Sequence, residues 1–221
     1  MSGADERRHT ARVSRAIGGP PPAVTGAILA GGCSRRMGRD KALLPWGGMR
    51  LLDAVAAALA PLCRELLVVA PDPDRYGGAG LRPVADARGG ASGPLVGLHA
   101  ALRAAGTEVV LLAACDAPLL QPQLLRGLVA AAPAPPAEAV VPVAGGCDQP
   151  LVAIYSRTIL ARVDERLAAG ARSLRDLLPH LVVRRLQPAL WRAWDPRGLS
   201  FRNVNTPRDL AAARRALSPR D

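Results

Sequence analysis

Residues 24–41 of the chain read VTGAILAGGCSRRMGRDK, and this stretch decides how the fold begins. Its apolar first half stops at two glycines, which is typical of a buried strand that ends in a tight loop. Glycines let the backbone approach a ligand closely and leave its N–H groups unshielded. Arg35, Arg36 and Lys41 add positive charge. Because open α/β sheets usually bind ligands at the carboxyl ends of their strands, the stretch predicts a polyphosphate site there.

Strand-like and helix-like segments alternate along the next part of the chain. Short apolar runs, which predict buried strands, cover residues 24–30, 66–70, 81–84 and 109–114. Apolar residues with helical spacing fill the intervals, over 50–62, after a cap and first-turn proline at Ser92-Gly93-Pro94, and from Pro122 onward. Strands that alternate with helices form βαβ units, so the pattern predicts an α/β fold with a mostly parallel sheet.

The pattern loosens after a Pro/Ala-rich stretch at 132–137, which is a linker or a surface loop. The later predictions are strands at 139–143 and 151–155 around a Gly145-Gly146 turn, helices at about 156–169 and 173–179, and a strand at 181–186. Thr206-Pro207-Arg208-Asp209 is typical of a helix start, with a threonine cap, a proline and an acidic first turn. We interpret residues 24–217 as a single domain.

The composition is that of a globular protein with a basic surface. The 221 residues suffice for a sizeable core, and 49% of them are apolar although only 3% are aromatic. The formal net charge of +11 favours anionic partners. A single-strand nucleic-acid binder needs stacking aromatics, and a membrane span needs an apolar run of about 18 residues. We therefore expect phosphorylated small molecules as partners, with no nucleic acid and no membrane.

Residues 1–23 and the cysteines indicate a cytoplasmic protein. The first 23 residues have four arginines and a Gly/Pro-rich end but no apolar core of a secretory signal, so we interpret them as a disordered leader. The cysteines form no C-x-x-C pair and have no histidine at zinc spacing; they are Cys33, Cys63, Cys115 and Cys147. Reduced thiols are the default in the cytosol.

Two aspartates follow predicted strands. Asp116 comes after the run VVLLAAC, where a carboxylate can bind Mg²⁺ together with phosphate oxygens. Its alternative role is to cap the helix that follows. Asp86 ends another strand, before a Gly-rich loop, and its alternative role is to form the turn.

Lys41 is the only lysine in the chain. Of the 29 lysine and arginine residues, the other 28 are arginines. The site therefore favours a compact ammonium, although a solvated lysine near a helix start is the alternative. His9, His99 and His180 share no pattern that would indicate a catalytic base. The chain has neither a P-loop motif nor a dinucleotide fingerprint after the first strand.

Five motifs in order resemble those of the molybdenum cofactor guanylyltransferases, the bacterial enzymes that attach GMP to molybdopterin. The first is LAGGCSRRMGRDKALL from residue 29, and the others are GPLVGL at 93–98, ACDAP at 114–118, DQPLVAIY at 148–155 and NVNTPRDL at 203–210. A lone LAGG loop would indicate only the wider sugar-nucleotide and NTP transferase superfamily. The resemblance covers residues 24 to about 217 and implies a Rossmann-like, three-layer α/β/α nucleotidyltransferase domain.

The resemblance also implies ligands and roles. GTP with Mg²⁺ would be bound, and the guanine and ribose would contact Leu29, Ala30, Gly31 and Gly32. Related cytidylyltransferases typically read LAAG where this chain has LAGG. Lys41 would contact phosphates or base-side groups, and Arg36 would steer phosphates. Asp86 would help hold the nucleotide, and Asp116 would bind Mg²⁺.

One departure and one unassigned region accompany these roles. The family often has an asparagine near the end of the second strand, where this chain has Val69-Ala70-Pro71. Molybdopterin is expected against the second half, including residues 148–150 and 203–205, where the resemblance assigns no individual roles. Cofactor-insertion proteins are implied as further partners.

The implied reaction is attack of the terminal phosphate of molybdopterin on the α-phosphorus of GTP, with loss of pyrophosphate. The nucleophile is already an anion, so no protein base is required. Positioning and charge neutralisation would then do most of the catalysis, by Lys41, Arg36 and Asp116. The alternatives are cytidylyl transfer to molybdopterin, guanylyl transfer to another phosphorylated small molecule, and a non-catalytic nucleotide-binding protein of the same fold.

Overall fold

The computed structural model describes residues 23–30, 40–78, 80–86, 92–132 and 135–217. The predicted leader lies outside these ranges except for its last residue, and so do Gly31, Gly32 and Arg36 of the glycine loop. Among the helices that the structure describes, none combines the length and the apolar character needed to cross a membrane.

The described ranges contain ten strands. They are β1 (Val24–Leu29), β2 (Pro45–Trp46), β3 (Met49–Arg50), β4 (Glu65–Ala70), β5 (Leu81–Ala85), β6 (Val109–Ala114), β7 (Ala139–Ala144), β8 (Cys147–Asp148), β9 (Val152–Ser156) and β10 (Val183–Leu186). The main sheet has the order β5-β4-β1-β6-β9-β7-β10, and β8 pairs with β7. Strands β5, β4, β1 and β6 are parallel, whereas β9 is antiparallel to both of its neighbours.

Helices cover both faces of this sheet. They are α1 (Leu51–Leu59), α2 (Pro94–Ala104), α3 (Pro122–Ala130), α4 (Leu160–Ala168), α5 (Leu174–Leu177), α6 (Pro188–Trp191) and α7 (Pro207–Leu217). Leu66 and Val68 of β4 pack in one buried cluster with α1 and α3, and Leu67 and Val69 pack in a second with α2, α4 and α5. Alternate residues of a strand point to opposite faces, so the two clusters are the two sides of one sheet. The predicted three-layer α/β fold is confirmed.

Three local features refine the sequence prediction. Pro83 lies inside β5, where it is tolerated because β5 is an edge strand and pairs only with β4 within the described sheet. Pro94 is the first residue of α2, as predicted, and the cap before it is Gly93, at φ +136°. The Gly145-Gly146 turn joins β7 to the short β8, and β9 begins only after it.

The C-terminal helix begins as its sequence predicts. The Thr206 hydroxyl accepts a hydrogen bond from the Asp209 backbone N–H (3.1 Å), and the Asp209 carboxylate accepts from the N–H groups of Thr206 (2.8 Å) and Asn205 (3.0 Å). This reciprocal arrangement is a capping box. Helix α7 packs in a small third cluster with Trp46 and Leu51, so the segment before it is held against the body of the domain.

Glu65 joins strands and loops at the amino-terminal edge of the sheet. Its carboxylate accepts hydrogen bonds from the Gly106 backbone N–H (2.6 Å), the Thr25 hydroxyl (2.9 Å) and the Arg82 guanidinium (2.9 Å). Burial opposes its ionisation, but the bonds from Gly106, Arg82 and Thr25 outweigh burial and hold the pKa of Glu65 below its usual range. The ionised carboxylate therefore stabilises the fold.

We expect Glu65→Gln to lower the free energy of unfolding by about 1–3 kcal/mol at pH 7. Because the pKa of Glu65 is lower in the folded chain than in the unfolded chain, its contribution is present above the unfolded pKa of about 4.3 and is lost as the pH falls through the folded pKa. Urea unfolding of both proteins between pH 7 and pH 3 measures this. The two free energies should converge at low pH, and a constant difference would contradict the assignment.

Candidate active site

The carboxyl ends of the four parallel strands β5, β4, β1 and β6 lie at one edge of the sheet. Backbone hydrogen bonds extend the pairing past the strand ends. The Ala30 N–H donates to the Val69 carbonyl (2.8 Å), and the Cys115 N–H donates to the Leu29 carbonyl (3.0 Å). The Asp86 N–H likewise donates to the carbonyl of Ala70 (3.0 Å). Residues that follow β1, β5 and β6 therefore leave the sheet in fixed directions.

Lys41 reaches across this edge to the end of β6. It begins a short 3₁₀ turn, Lys41–Leu43, which Asp40 caps by accepting a hydrogen bond from the Ala42 N–H (3.1 Å). The Lys41 ammonium Nζ lies 3.3 Å from Asp116 Oδ2 and donates to Asn205 Oδ1 at 2.6 Å. Sequence patterns indicated Lys41 and Asp116 as two separate candidate site residues, and the structure brings them into contact.

The Asp116 carboxylate is largely buried, and only one of its two oxygens has a hydrogen-bond partner among the described residues. Burial raises its pKa, and the neighbouring Lys41 ammonium opposes that rise. Its Oδ1 atom is shielded from solvent and accepts no hydrogen bond from any residue in the described ranges. The capping alternative is wrong, because α3 begins after Gln121 rather than after Asp116. A buried carboxylate oxygen without a donor is available to a ligand.

Asn205 completes the cluster, and sequence reasoning had assigned it no role. The Val204 N–H donates to the Asp116 carbonyl (2.8 Å), and the capping box of α7 holds the Asn205 N–H. These backbone bonds bring the Asn205 side chain to Lys41. The motif NVNTPRDL contained the helix-start signal, but the contact spans 164 positions of sequence and no local pattern specifies it.

Asp86 lies at the same edge but apart from this cluster. Strands β4 and β1 separate β5 from β6, so the ends of β5 and β6 are about 14 Å apart at roughly 4.8 Å per strand. Burial raises the pKa of the Asp86 carboxyl. Asp86 also lines a groove of about 320 Å³ together with His99 and Arg103. The loop after Asp86 lies outside the described residues, so its turn-forming alternative stays open.

The two glycines of the GPLVGL motif allow close packing beside the site. A Cβ atom on Gly97 would lie 2.8 Å from the Leu29 side chain, at the end of β1. A Cβ atom on Gly93 would lie 2.8 Å from the Arg172 carbonyl, which accepts a hydrogen bond from the Leu95 N–H (3.0 Å). Real Cβ atoms essentially never come closer than 3.0 Å. The motif therefore brings the start of α2 against both β1 and the loop before α5.

The segment expected to face the acceptor also reaches this edge. β9 is antiparallel to β6, and its first residue, Val152, pairs with Ala113 near the carboxyl end of β6. Residues 148–150, which precede β9, therefore lie on the candidate-site side of the sheet. Asp148 forms an ion pair with Arg185 (3.1 Å), and the Gln149 amide donates to the Ala144 carbonyl (3.1 Å).

Comparison with known proteins agrees with this architecture. The family described as "MobA-like NTP transferase domain" matches residues 26–187. A probable molybdenum cofactor guanylyltransferase of Pelotomaculum thermopropionicum is 37% identical over 86% of this chain and 91% of its own length. The molybdenum cofactor guanylyltransferase of Desulfosudis oleivorans is 34% identical over 88% and 96%.

A solved structure agrees as well. The molybdopterin-guanine dinucleotide biosynthesis protein A of Archaeoglobus fulgidus is similar with a TM-score of 0.73 and 27% identity, over 87% of this chain and 97% of that one. The family model, the relatives that match most of the chain and the similar fold agree with one another. The chain belongs to the molybdenum cofactor guanylyltransferase family of MobA-like NTP transferases.

Proposed function

We propose that the chain transfers GMP from GTP to the terminal phosphate of molybdopterin and releases pyrophosphate. One structural observation supports this chemistry. At the edge where the glycine loop leaves β1, a buried Asp116 oxygen without a donor among the described residues lies beside the Lys41 ammonium. This pairing of a metal-binding group with a phosphate-binding group suits a nucleoside triphosphate, and relatives named as guanylyltransferases supply the substrate identity.

Mg²⁺ fits the residues that are present. A carboxylate oxygen is a preferred ligand of Mg²⁺, which proteins usually bind through one or two carboxylates together with substrate phosphates. Asp116 Oδ1 is such an oxygen, and it is buried without a hydrogen-bond donor among the described residues. Asp116 would therefore hold the metal. When bound, Mg²⁺ would neutralise charge on the phosphate oxygens.

The chain's own residues would act by positioning. In the reaction, a phosphate oxygen of molybdopterin forms a bond to the α-phosphorus, and the bond from that phosphorus to the bridging oxygen breaks as pyrophosphate leaves. Lys41 is held by Asp116 and Asn205 and would stabilise the charge on the triphosphate. Arg36 would steer phosphates from the glycine loop. No side chain needs to remove a proton, because the attacking phosphate is already an anion.

The base-side contacts complete the proposal. Leu29 and Ala30, with Gly31 and Gly32, would contact the guanine and ribose at the end of β1. Asp86 would hold the nucleotide from the far end of the edge, about 14 Å from Asp116 by strand spacing. Asp86 and Asp116 at this separation could contact opposite ends of an extended nucleotide, whereas a free phosphate is too small to reach both.

The location, organisation and partners form part of the same proposal. The three cysteines in the described ranges, Cys63, Cys115 and Cys147, are free thiols, which suits a reducing cytoplasm. We propose that residues 24–217 form one nucleotidyltransferase domain. We also propose that cofactor-insertion proteins receive the product.

The direct experiment is incubation with Mg²⁺, GTP and molybdopterin, followed by measurement of pyrophosphate and of a guanylated product. A parallel reaction replaces GTP with CTP, and a binding series compares both nucleotides. Product with GTP alone supports the proposal. Product with CTP alone would replace it with cytidylyl transfer, and nucleotide binding without turnover would favour a binding protein.

Asp116→Asn should lower kcat by about 10²–10³-fold, the range expected when a charge-stabilising group is lost from an active site. It should also weaken Mn²⁺ binding in the presence of GTP, as measured by electron paramagnetic resonance. The free energy of unfolding of the variant should be measured as well, because the substitution leaves the largely buried Lys41 ammonium without its ionic partner.

A matched control is Asp53→Asn on α1. Asp53 pairs with Arg50 at 2.7 Å, so its loss should lower stability and leave kcat unchanged. If Asp116→Asn kept near-normal turnover and metal affinity, the metal assignment would be wrong.

Lys41→Arg should lower kcat/KM for GTP by about 10–100-fold although the charge is kept. The compact ammonium fits between carboxylate and amide oxygens that lie 3.3 Å and 2.6 Å from it, whereas a guanidinium is longer and planar. Steady-state kinetics on folded protein measures the effect. Arg64→Lys, at an exposed position away from the site, is the control for exchange of the two basic residues. Wild-type activity of Lys41→Arg would contradict the need for a compact ammonium and would show that position 41 requires only a positive charge.

A further inference from the structure

Tyr76 is a buried tyrosine whose hydroxyl has one specific partner near the site. It ends the short 3₁₀ turn Pro73–Tyr76 that follows β4, and it is only 2% exposed. Its hydroxyl donates a hydrogen bond to Asp40 Oδ2 at 2.6 Å. Burial first, and then the Asp40 carboxylate, raise the pKa of this phenol, so it stays protonated and able to donate.

Asp40 is therefore held through both oxygens. Oδ1 accepts from the Ala42 N–H and caps the turn that begins with Lys41, while Oδ2 accepts from Tyr76. Arg75 approaches the same Oδ2 only to 3.9 Å, and its side chain is 55% exposed, so the tyrosine makes the stronger contact. Movement of Asp40 would move the backbone from which the Lys41 side chain starts.

The same part of the chain holds the residues on both sides of the glycine loop. The Ala30 N–H, just before the loop, donates to Val69 of β4. Asp40, just after the loop, accepts from Tyr76, which lies seven positions beyond Val69. β4 and the segment after it thus hold Ala30 and Asp40, the described residues on either side of the loop.

We propose that Tyr76 is a positioning residue, which acts through Asp40 to place Lys41 for nucleotide binding. The ring packs in the core cluster that contains α1 and α3, and a phenylalanine would fill the same space. The hydroxyl is then needed for its bond to Asp40 rather than for packing. The inference rests on the proposed function only in that Lys41 binds the phosphates of GTP.

The test is Tyr76→Phe, with Mg·GTP affinity measured by calorimetry and kcat/KM by pyrophosphate release. A shift of the lysine by a fraction of an ångström should weaken GTP binding about 10-fold, below the roughly 100-fold that a 1 Å misplacement can cost. Asp40→Ser is the second variant, because serine still caps the turn but is too short to reach Tyr76. It should reproduce the loss, and the double variant should add nothing further.

A merely structural role predicts a different result. Thr25→Val removes another buried hydroxyl, which lies 2.9 Å from the Thr107 hydroxyl at the opposite edge of the sheet, so it should lower stability and leave GTP affinity unchanged. In a Lys41→Met background, Tyr76→Phe should have no further effect on GTP affinity, because its target is already absent.

The outcomes of these experiments distinguish the inference from the proposed function. Wild-type affinity in Tyr76→Phe, or a loss that persists in full in Lys41→Met, would overturn the role of Tyr76. Failure of the wild-type protein to bind GTP would instead overturn the proposed function. Weakened binding in both single variants without additivity supports the inference.

Discussion

The contact between Lys41 and Asp116 is the constraint on which the rest of the site depends. An ammonium and a carboxylate that are each less than one-fifth exposed cost free energy to desolvate, and each is retained because the other is close. Their positions lie 75 residues apart in sequence, so the contact requires β1 and β6 to be neighbours. It also requires the capped turn at Asp40, and the segment before α7 that supplies Asn205 to the same ammonium.

Much of the fold follows from local sequence. The apolar runs of β1, β4 and β6 end at glycine, proline or aspartate, and the structure ends these strands within one residue of the predicted positions. The family predicted from five motifs is confirmed by relatives that match most of the chain. The antiparallel direction of β9 did not follow from the sequence, because an apolar strand buried on both faces has the same pattern in either direction.

The site was predicted less completely than the fold. The chemistry of Asp116 and Lys41 could be inferred from residue type and from position after a strand, but their contact could not. Asn205 and Tyr76 were not assigned, because each acts through a partner that only the folded chain brings near. Motifs record which residue types occur together, whereas hydrogen bonds between distant segments depend on the packing of whole elements.

The two edges of the main sheet limit how copies of the chain can associate. A bare strand edge offers unpaired N–H and C=O groups to another strand. On one side, Pro83 removes an N–H donor from β5, and on the other, β10 carries Arg184 and Arg185. A second sheet meets a missing donor at the first edge and arginine side chains at the second. Both features make the described edges poor templates for extension of the sheet into a continuous intermolecular ribbon.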